Sequence, residues 1–306
     1  MYVDGKTLDE ERIGQILNSI IVKKELQDID KEFVRDQLFE FLKRDKGGVK
    51  YLSSRNKEIN PKCKDYKLIV KSVRARLRKY HSMFRNETKD KEREHLIDQL
   101  ENEKVDDWKN TELIINNIMK THASTNERLD FYSSLYQKIF KITGKPDSII
   151  DLGAGLNPLS IINMNILDNR RTKGLIYYAY DLNESEIDQL NKCFVKINNQ
   201  FPYFKGQAKV FNLLNWHEIE TLPAFDICFL LKMSDVLEQG KGHKVTEEII
   251  VNVPAEFVVL SFPTLTISGK KMNYPKRNWV KLMCNRLNYI FEIILEKNEI
   301  FYVIRK

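Results

Sequence analysis

From residue 147 onward the chain alternates short apolar runs with longer mixed segments, and this pattern constrains the fold more than any other feature of its 306 residues. Five runs, Ser148–Leu152, Leu175–Asp181, Ala208–Leu213, Phe225–Leu231 and Phe257–Phe262, are dominated by aliphatic and aromatic residues. Runs apolar at successive positions read as strands buried on both faces, the habit of parallel sheets covered by helices. Two further runs, Ile290–Leu295 and Glu299–Ile304, are joined only by Glu-Lys-Asn. That link is too short for a crossover helix, so the two runs should pair antiparallel. The expectation is an α/β fold whose mostly parallel, seven-stranded sheet closes on a C-terminal antiparallel hairpin.

Residues 1–120 read differently. Ile13, Ile16, Leu17, Ile20 and Ile21 recur at helical spacing, as do Phe33, Leu38, Phe41 and Leu42. Gly47-Gly48 should interrupt the helices, and a further helix is expected over Tyr66–Phe84, with Leu68, Val73, Leu77 and Tyr80 as its apolar stripe. Two more are expected near Lys89–Lys104 and Thr111–Thr121. Between Lys43 and Arg93 eighteen Lys/Arg face six Asp/Glu, a local +12 in a chain of net +7, so the remainder is acidic. An excess of that size suggests a polyanion-binding surface. Two domains follow from this reading: a basic, helical 1–120 and an α/β domain, 121–306. No apolar run reaches eighteen residues and the N-terminus carries no secretory signal, so a cytoplasmic protein without a membrane partner is expected. The four scattered cysteines contain no CxxC pair, and no metal site is expected.

The chemistry concentrates after the first strand. In Asp151-Leu-Gly-Ala-Gly155, Gly153 and Gly155 allow close backbone approach to a ligand, and Asp151 can organise the turn or receive a cationic group. Asp181 ends the second strand, where an acid suits the two hydroxyls of a ribose. Asn212 and Leu213, at the end of the third strand, are placed to read an adenine edge, with Leu182 and Leu213 as apolar walls. The turn continues as Leu-Asn-Pro and is not the GxGxxG of dinucleotide sites, which favours S-adenosyl-L-methionine over NAD. Pro158 should open the helix after the first strand. Upstream, Arg128 in His122-Ala-Ser-Thr-Asn-Glu-Arg128 can fork onto the methionine carboxylate of that cofactor. The same segment also reads as an N-cap, Ser124 or Thr125, for a helix through Phe140, and the two readings are compatible. Five parallel strands with this turn and a terminal hairpin match the class I, Rossmann-like methyltransferase sheet.

These segments together resemble the Arm/Rmt family of 16S rRNA methyltransferases, which confer aminoglycoside resistance. His122–Arg128 is similar to that family's HxSTxER, and Asp151-Leu-Gly-Ala-Gly-Leu-Asn-Pro-Leu159 to its D-x-G-C-G-x-N-P-L, with Ala154 where cysteine is usual. Tyr178–Asp181, Phe229-Leu-Leu-Lys-Met233, Leu260–Pro263 and Ser268-Gly-Lys270 follow in the family's order. The resemblance covers residues 115–275 and is weaker over the N-terminal helices. It implies that Arg128, Gly153, Ala154, Asp181, Asn212, Leu213 and Leu231 hold the cofactor. It also implies methylation of guanine N7 in the decoding-site helix of 16S rRNA, with the 30S subunit as partner. A monomer is expected, because engaging a ribosomal subunit needs no symmetric partner.

The residues agree with that chemistry. Guanine N7 has a free lone pair, so transfer needs orientation and exclusion of water but no general base. Phe229–Met233 stands where amino-group methyltransferases carry (D/N)PPY, and no Pro-Cys nucleophile is present there. Lys232 can touch the target nucleotide or simply face solvent. Lys71, Arg74, Arg76, Arg78 and Lys79 suit RNA phosphates, and Lys270 and Lys271 form a second basic group. Tyr274 and Trp279 can stack on an extruded base, although core or lid roles are commoner. Another structured RNA such as tRNA, or a non-catalytic RNA-binding protein on the same fold, are the competing readings.

Overall fold

The computed structural model describes residues 2–3, 5–53, 59–81, 87–103, 107–168, 173–238, 242–266, 269–273 and 275–306, side chains 79–81, 87 and 216 excepted. They form two compact units, Met1–Met83 with Leu182–Glu184, and Phe84–Asp181 with Ser185–Lys306.

The first unit is helical: α1 Glu10–Ile21, α2 Lys31–Leu42, α3 Lys46–Ser53 and α4 Lys64–His81. Asp9 caps α1 by accepting from Glu11 N and Arg12 N, and Asp30 caps α2 by accepting from Phe33 N at 2.8 Å. Ile13, Ile16, Ile20, Phe33, Leu38 and Leu42 are buried, as their spacing requires. Two expectations fail here. Gly47-Gly48 does not break the helices but lies in α3, where Asp45 accepts from Gly48 N at 3.0 Å. A Cβ at Gly48 would come within 2.9 Å of Leu42, so this glycine serves close packing. In α4 the buried positions are Ile69, Val70, Val73 and Leu77; Leu68 is 43% exposed and the Tyr80 side chain lies outside the described residues.

The second unit opens with α5 Glu87–Asn102, α6 Trp108–Lys120, α7 Ala123–Arg128 and α8 Tyr132–Thr143. The expected boundary at 120 falls inside it, because Ile97 and Leu100 of α5 and Ile115, Ile118 and Met119 of α6 share one core with Ile149, Tyr177 and Phe229 of the sheet. The single helix expected through Phe140 is broken at Leu129–Phe131. Its cap is also different: His122 holds the N-cap position without a side-chain bond, and the Thr125 hydroxyl donates to the carbonyls of Met119 and His122.

The strands are β1 Ser148–Leu152, β2 Leu175–Asp181, β3 Phe204–Val210, β4 Phe225–Leu231, β5 Ala255–Pro263, β6 Ile290–Leu295 and β7 Glu299–Arg305. They form one sheet in the order β3-β2-β1-β4-β5-β7-β6, parallel except for β7, which pairs antiparallel with β5 and β6. Central strands are buried on both faces: in β4, Ile227, Phe229 and Leu231 join one core while Cys228 and Leu230 join the other. The first core is covered by α5, α6, α8 and α9 (Glu184–Gln200), the second by α10 (Lys244–Asn252) and α11 (Asn278–Leu287). The third strand lies earlier than expected. It is the sheet's edge, with Phe204 and Ala208 buried but Lys205, Gln207 and Lys209 exposed, so it has no continuous apolar run. Residues 211–214 follow it as a loop. After β1 the chain enters a 3-10 helix, Asn157–Asn163, with Pro158 in its first turn.

Candidate active site

At the C-terminal end of β1 the chain turns through Gly153 (φ +70°) and Gly155 (φ +48°). Gly153 N and Ala154 N donate to Tyr180 O at 2.8 and 3.0 Å, and Gly155 N donates to Asp181 Oδ2 at 2.9 Å. A Cβ on Gly153 would meet the Met233 side chain at 2.5 Å, and one on Gly155 would lie 3.4 Å from the His122 imidazole. The positive φ favours glycine at both positions, and at Gly153 a Cβ would also displace the Met233 side chain. Burial, with Arg93 nearby, pushes the His122 imidazole down to about 4, so its ring is neutral at physiological pH. Phe211 N donates to Asp181 O at 2.9 Å, which brings Asn212 and Leu213 alongside the end of β2. Asn212 Oδ1 accepts from Leu214 N at 3.0 Å and Leu213 is buried. Leu182 follows Asp181 in the chain but is counted with the first unit.

Beneath the turn lies a buried polar network. Asp151 Oδ2 accepts from Asn157 Nδ2 at 2.8 Å and from the Tyr177 hydroxyl at 2.9 Å, while its buried Oδ1 has no hydrogen-bond partner among the described residues. Burial pushes this carboxyl up to about 7 against the pull of those two donors. Asn157 Oδ1 accepts from the Tyr132 hydroxyl at 2.9 Å and more weakly from Arg128 Nη1 at 3.4 Å. Arg128 forks onto Glu299, with Nε to Oε2 at 2.9 Å and Nη2 to Oε1 at 2.7 Å. Both side chains are buried, 2% and 0% exposed. Burial opposes charge on Glu299, but the Arg128 guanidinium outweighs it and holds the carboxyl below its usual range. Ser261 Oγ also donates to Glu299.

Lys232 closes the network. Its Nζ lies 2.6 Å from Glu127 and 3.5 Å from Glu299, with its side chain 9% exposed. Its backbone is left-handed (φ +57°), held by donation from its N–H to Ser261 O and Oγ. Lys232 is therefore an ion-paired element of the site and does not face solvent. Leu231, just before it, is buried. Arg128 likewise is committed within the chain, to Glu299, where sequence reading gave it to a ligand carboxylate. Glu299 was not anticipated, because an acid after a hairpin turn looks like a solvent residue. Asn157, just before the helix start at Pro158, is a hydrogen-bonding member of this network.

The expected RNA-binding side chains divide. Lys71 is exposed; Arg74 donates to the carbonyls of Ser19 and Ile20; Arg78 pairs with Glu25 at 2.7 Å. Arg76 is half-buried, and the Lys79 side chain lies outside the described residues. Lys270 and Lys271 are exposed, and Thr266 N donates to Lys270 O. Trp279 stacks on His243 at 4.3 Å, and Tyr274 lies outside the described residues.

A glycine turn beside the point where sheet order reverses, with an acid closing the neighbouring strand, is a nucleotide-cofactor site. Its residues fit S-adenosyl-L-methionine: the turn forms a cradle that a Cβ would fill, Asp181 stands half-exposed beside it, and Asp151 keeps a buried oxygen for a cationic group. With the β7 hairpin, fold and site define a class I, S-adenosylmethionine-dependent methyltransferase. More particularly, the chain belongs to the FmrO family of ribosomal RNA methyltransferases, whose pattern matches residues 57–292. It is 28% identical over 225 residues to the 16S rRNA (guanine(1405)-N(7))-methyltransferase of Proteus mirabilis, spanning 71% of this chain and 75% of that one. Against the enzyme of the same name from Micromonospora rosea it is 27% identical over 195 residues, 61% of this chain and 64% of the relative. The crystal structure of the 16S rRNA methyltransferase RmtF with S-adenosyl-L-homocysteine superposes with a TM-score of 0.70 at 20% identity, covering 98% of this chain and 100% of that one. The 16S rRNA methylase ArmA gives 0.50 at 25% identity over 66% and 95%.

Proposed function

We propose that this protein transfers a methyl group to N7 of one guanine in the decoding-site helix of 16S rRNA, acting on the 30S subunit. Relatives named for N7 methylation of guanine 1405 support the target. The observation that carries the chemistry is the buried network beneath the turn, in which Asn157 donates to Asp151 and Arg128 forks onto Glu299, so that the site is held in one arrangement. S-adenosyl-L-methionine, when bound, would supply an electrophilic methyl group to the N7 lone pair, its S–CH3 bond breaking as S-adenosyl-L-homocysteine leaves. The chain's work is then placement. The turn of Gly153, Ala154 and Gly155 and the carboxylate of Asp181 would hold the nucleoside, with Asn212, Leu213 and Leu231 around the base and the reacting end. Arg128 acts through Glu299, and this pair with Lys232 fixes the wall against which the methionine end lies. Lys71, Lys270 and Lys271 contribute phosphate contacts. A monomer acting in the cytoplasm suffices, since one copy carries both the site and the basic helix.

The test is incubation of purified protein with labelled cofactor and either 30S subunits or bulk tRNA. Label in 30S is the expected result. Label in tRNA alone would move the activity to another RNA, and absence of cofactor binding by calorimetry would remove the enzymatic reading.

A further inference from the structure

The first unit contains a groove of about 740 Å³ between α1 and α4 that the methyl-transfer chemistry does not use. Lys67, Lys71, Arg74 and Arg78 line it at i, i+4, i+7 and i+11, one face of α4. Arg74 is committed to the carbonyl end of α1, and Arg78 is paired with Glu25. Lys67 and Lys71 are exposed, and neither ammonium has an ion-pair partner among the described residues. Among the described residues no acidic side chain lines the groove. Its floor is apolar: Val70 is buried, and Val22, although apolar, is 65% exposed. The Tyr66 hydroxyl lies 2.5 Å from Ser19 Oγ, which fixes that ring as a wall.

A base-paired RNA helix presents a convex backbone, for which a flat cationic surface serves. A concavity with an apolar floor and two unpaired cations on one rim has another complement. It suits a strand whose bases are free to leave the stack, with phosphates on the rim and a base or sugar face below. We infer that this groove takes an unpaired RNA segment, with phosphates on Lys67 and Lys71 and a base face against Val22 and Val70. Arg74 and Arg78, which the sequence suggests for phosphates along with Lys71, instead shape the groove wall. The identity of the polyanion as RNA rests on the proposed function above; the groove, its free lysines and its apolar floor do not.

The experiment is equilibrium binding of the full chain to a fluorescent oligouridylate and to a base-paired RNA of equal length, across a salt series. Each phosphate contact to a single strand contributes about 0.7 to the slope of log affinity against log salt. The double variant Lys67→Gln, Lys71→Gln should therefore lower the slope for the single strand by about 1.4. Val22→Asp, at an exposed position, should weaken that probe about tenfold, because it sets a carboxylate beside the phosphates in place of apolar surface. Calorimetric affinity for S-adenosyl-L-methionine should stay unchanged in both variants. An unchanged slope, no binding of the single strand, or equal loss for the duplex would overturn the groove assignment. Wild-type methylation of 30S subunits tests the enzymatic reading separately, so either can fail without the other.

Discussion

Glu299 reaches the site from near the end of the chain and holds Arg128 through both of its oxygens, with neither group open to water. Removing one partner of such a pair leaves a buried charge unanswered, which typically costs about 3–5 kcal/mol. Glu299→Ala should lower the urea unfolding midpoint accordingly, and Glu299→Gln should lose less because it keeps one acceptor. Asp151 gives a pH signature of the opposite kind. Its ordinary value is 3.8 and burial raises it to about 7, so between those limits the folded chain keeps a proton that the unfolded chain has released. Stability should fall as pH rises from about 4 to about 7 and then level off. Asp151→Asn keeps an acceptor for Asn157 and Tyr177, so the variant should flatten that slope in urea midpoints measured across the range. Gly153→Ala would drive a methyl group into Met233 at a positive φ. Cofactor binding by calorimetry should be lost, with a lower melting temperature. Gly153, Gly155 and Asp181 were legible in the sequence because conformational need and strand-end position are local properties. The partners Glu299 and Asn157 were not, since what they do depends on residues 171 and 29 positions away in the chain from their contact, Arg128.

The same distinction governs the elements. The limits of β1, β2, β4 and β6 were readable to the residue, because a strand buried on both faces, or one followed by a three-residue turn, leaves a distinct run. The edge strand β3 was misplaced because its outward lysines interrupt the apolar pattern, and α3 was missed because its glycines argued for a break. Strand ends also carry fastenings that no run reveals. Asp226 at the start of β4 accepts from Asp147 N and Ser148 N at 2.7 and 2.8 Å, and its own N–H donates to Ser148 Oγ at 2.9 Å. Asp226→Ala leaves two part-buried donors unsatisfied at the foot of β1. A loss of about 1–3 kcal/mol is expected, read as a lower urea midpoint with an unchanged slope.

Across the whole molecule, the basic excess between residues 43 and 93 was visible in the sequence, but its division of labour was not. The boundary expected at 120 lies at 83/84, because α5 and α6 are apolar enough to complete a core of the sheet. Arg93, counted among the surface cations, is 2% exposed and pairs with Asp90 and Glu186. Family membership supplies ribosomal RNA as substrate; the particular atom modified is the central claim, and it is open to direct measurement. Guanine methylated at N7 becomes labile, so reduction with borohydride followed by aniline cleaves the strand there. The 16S rRNA from 30S subunits treated with this protein and S-adenosyl-L-methionine should break at one decoding-site guanine, and only when the cofactor is present. Methyl incorporation without that break, or a break at no guanine of the decoding-site helix, would contradict it.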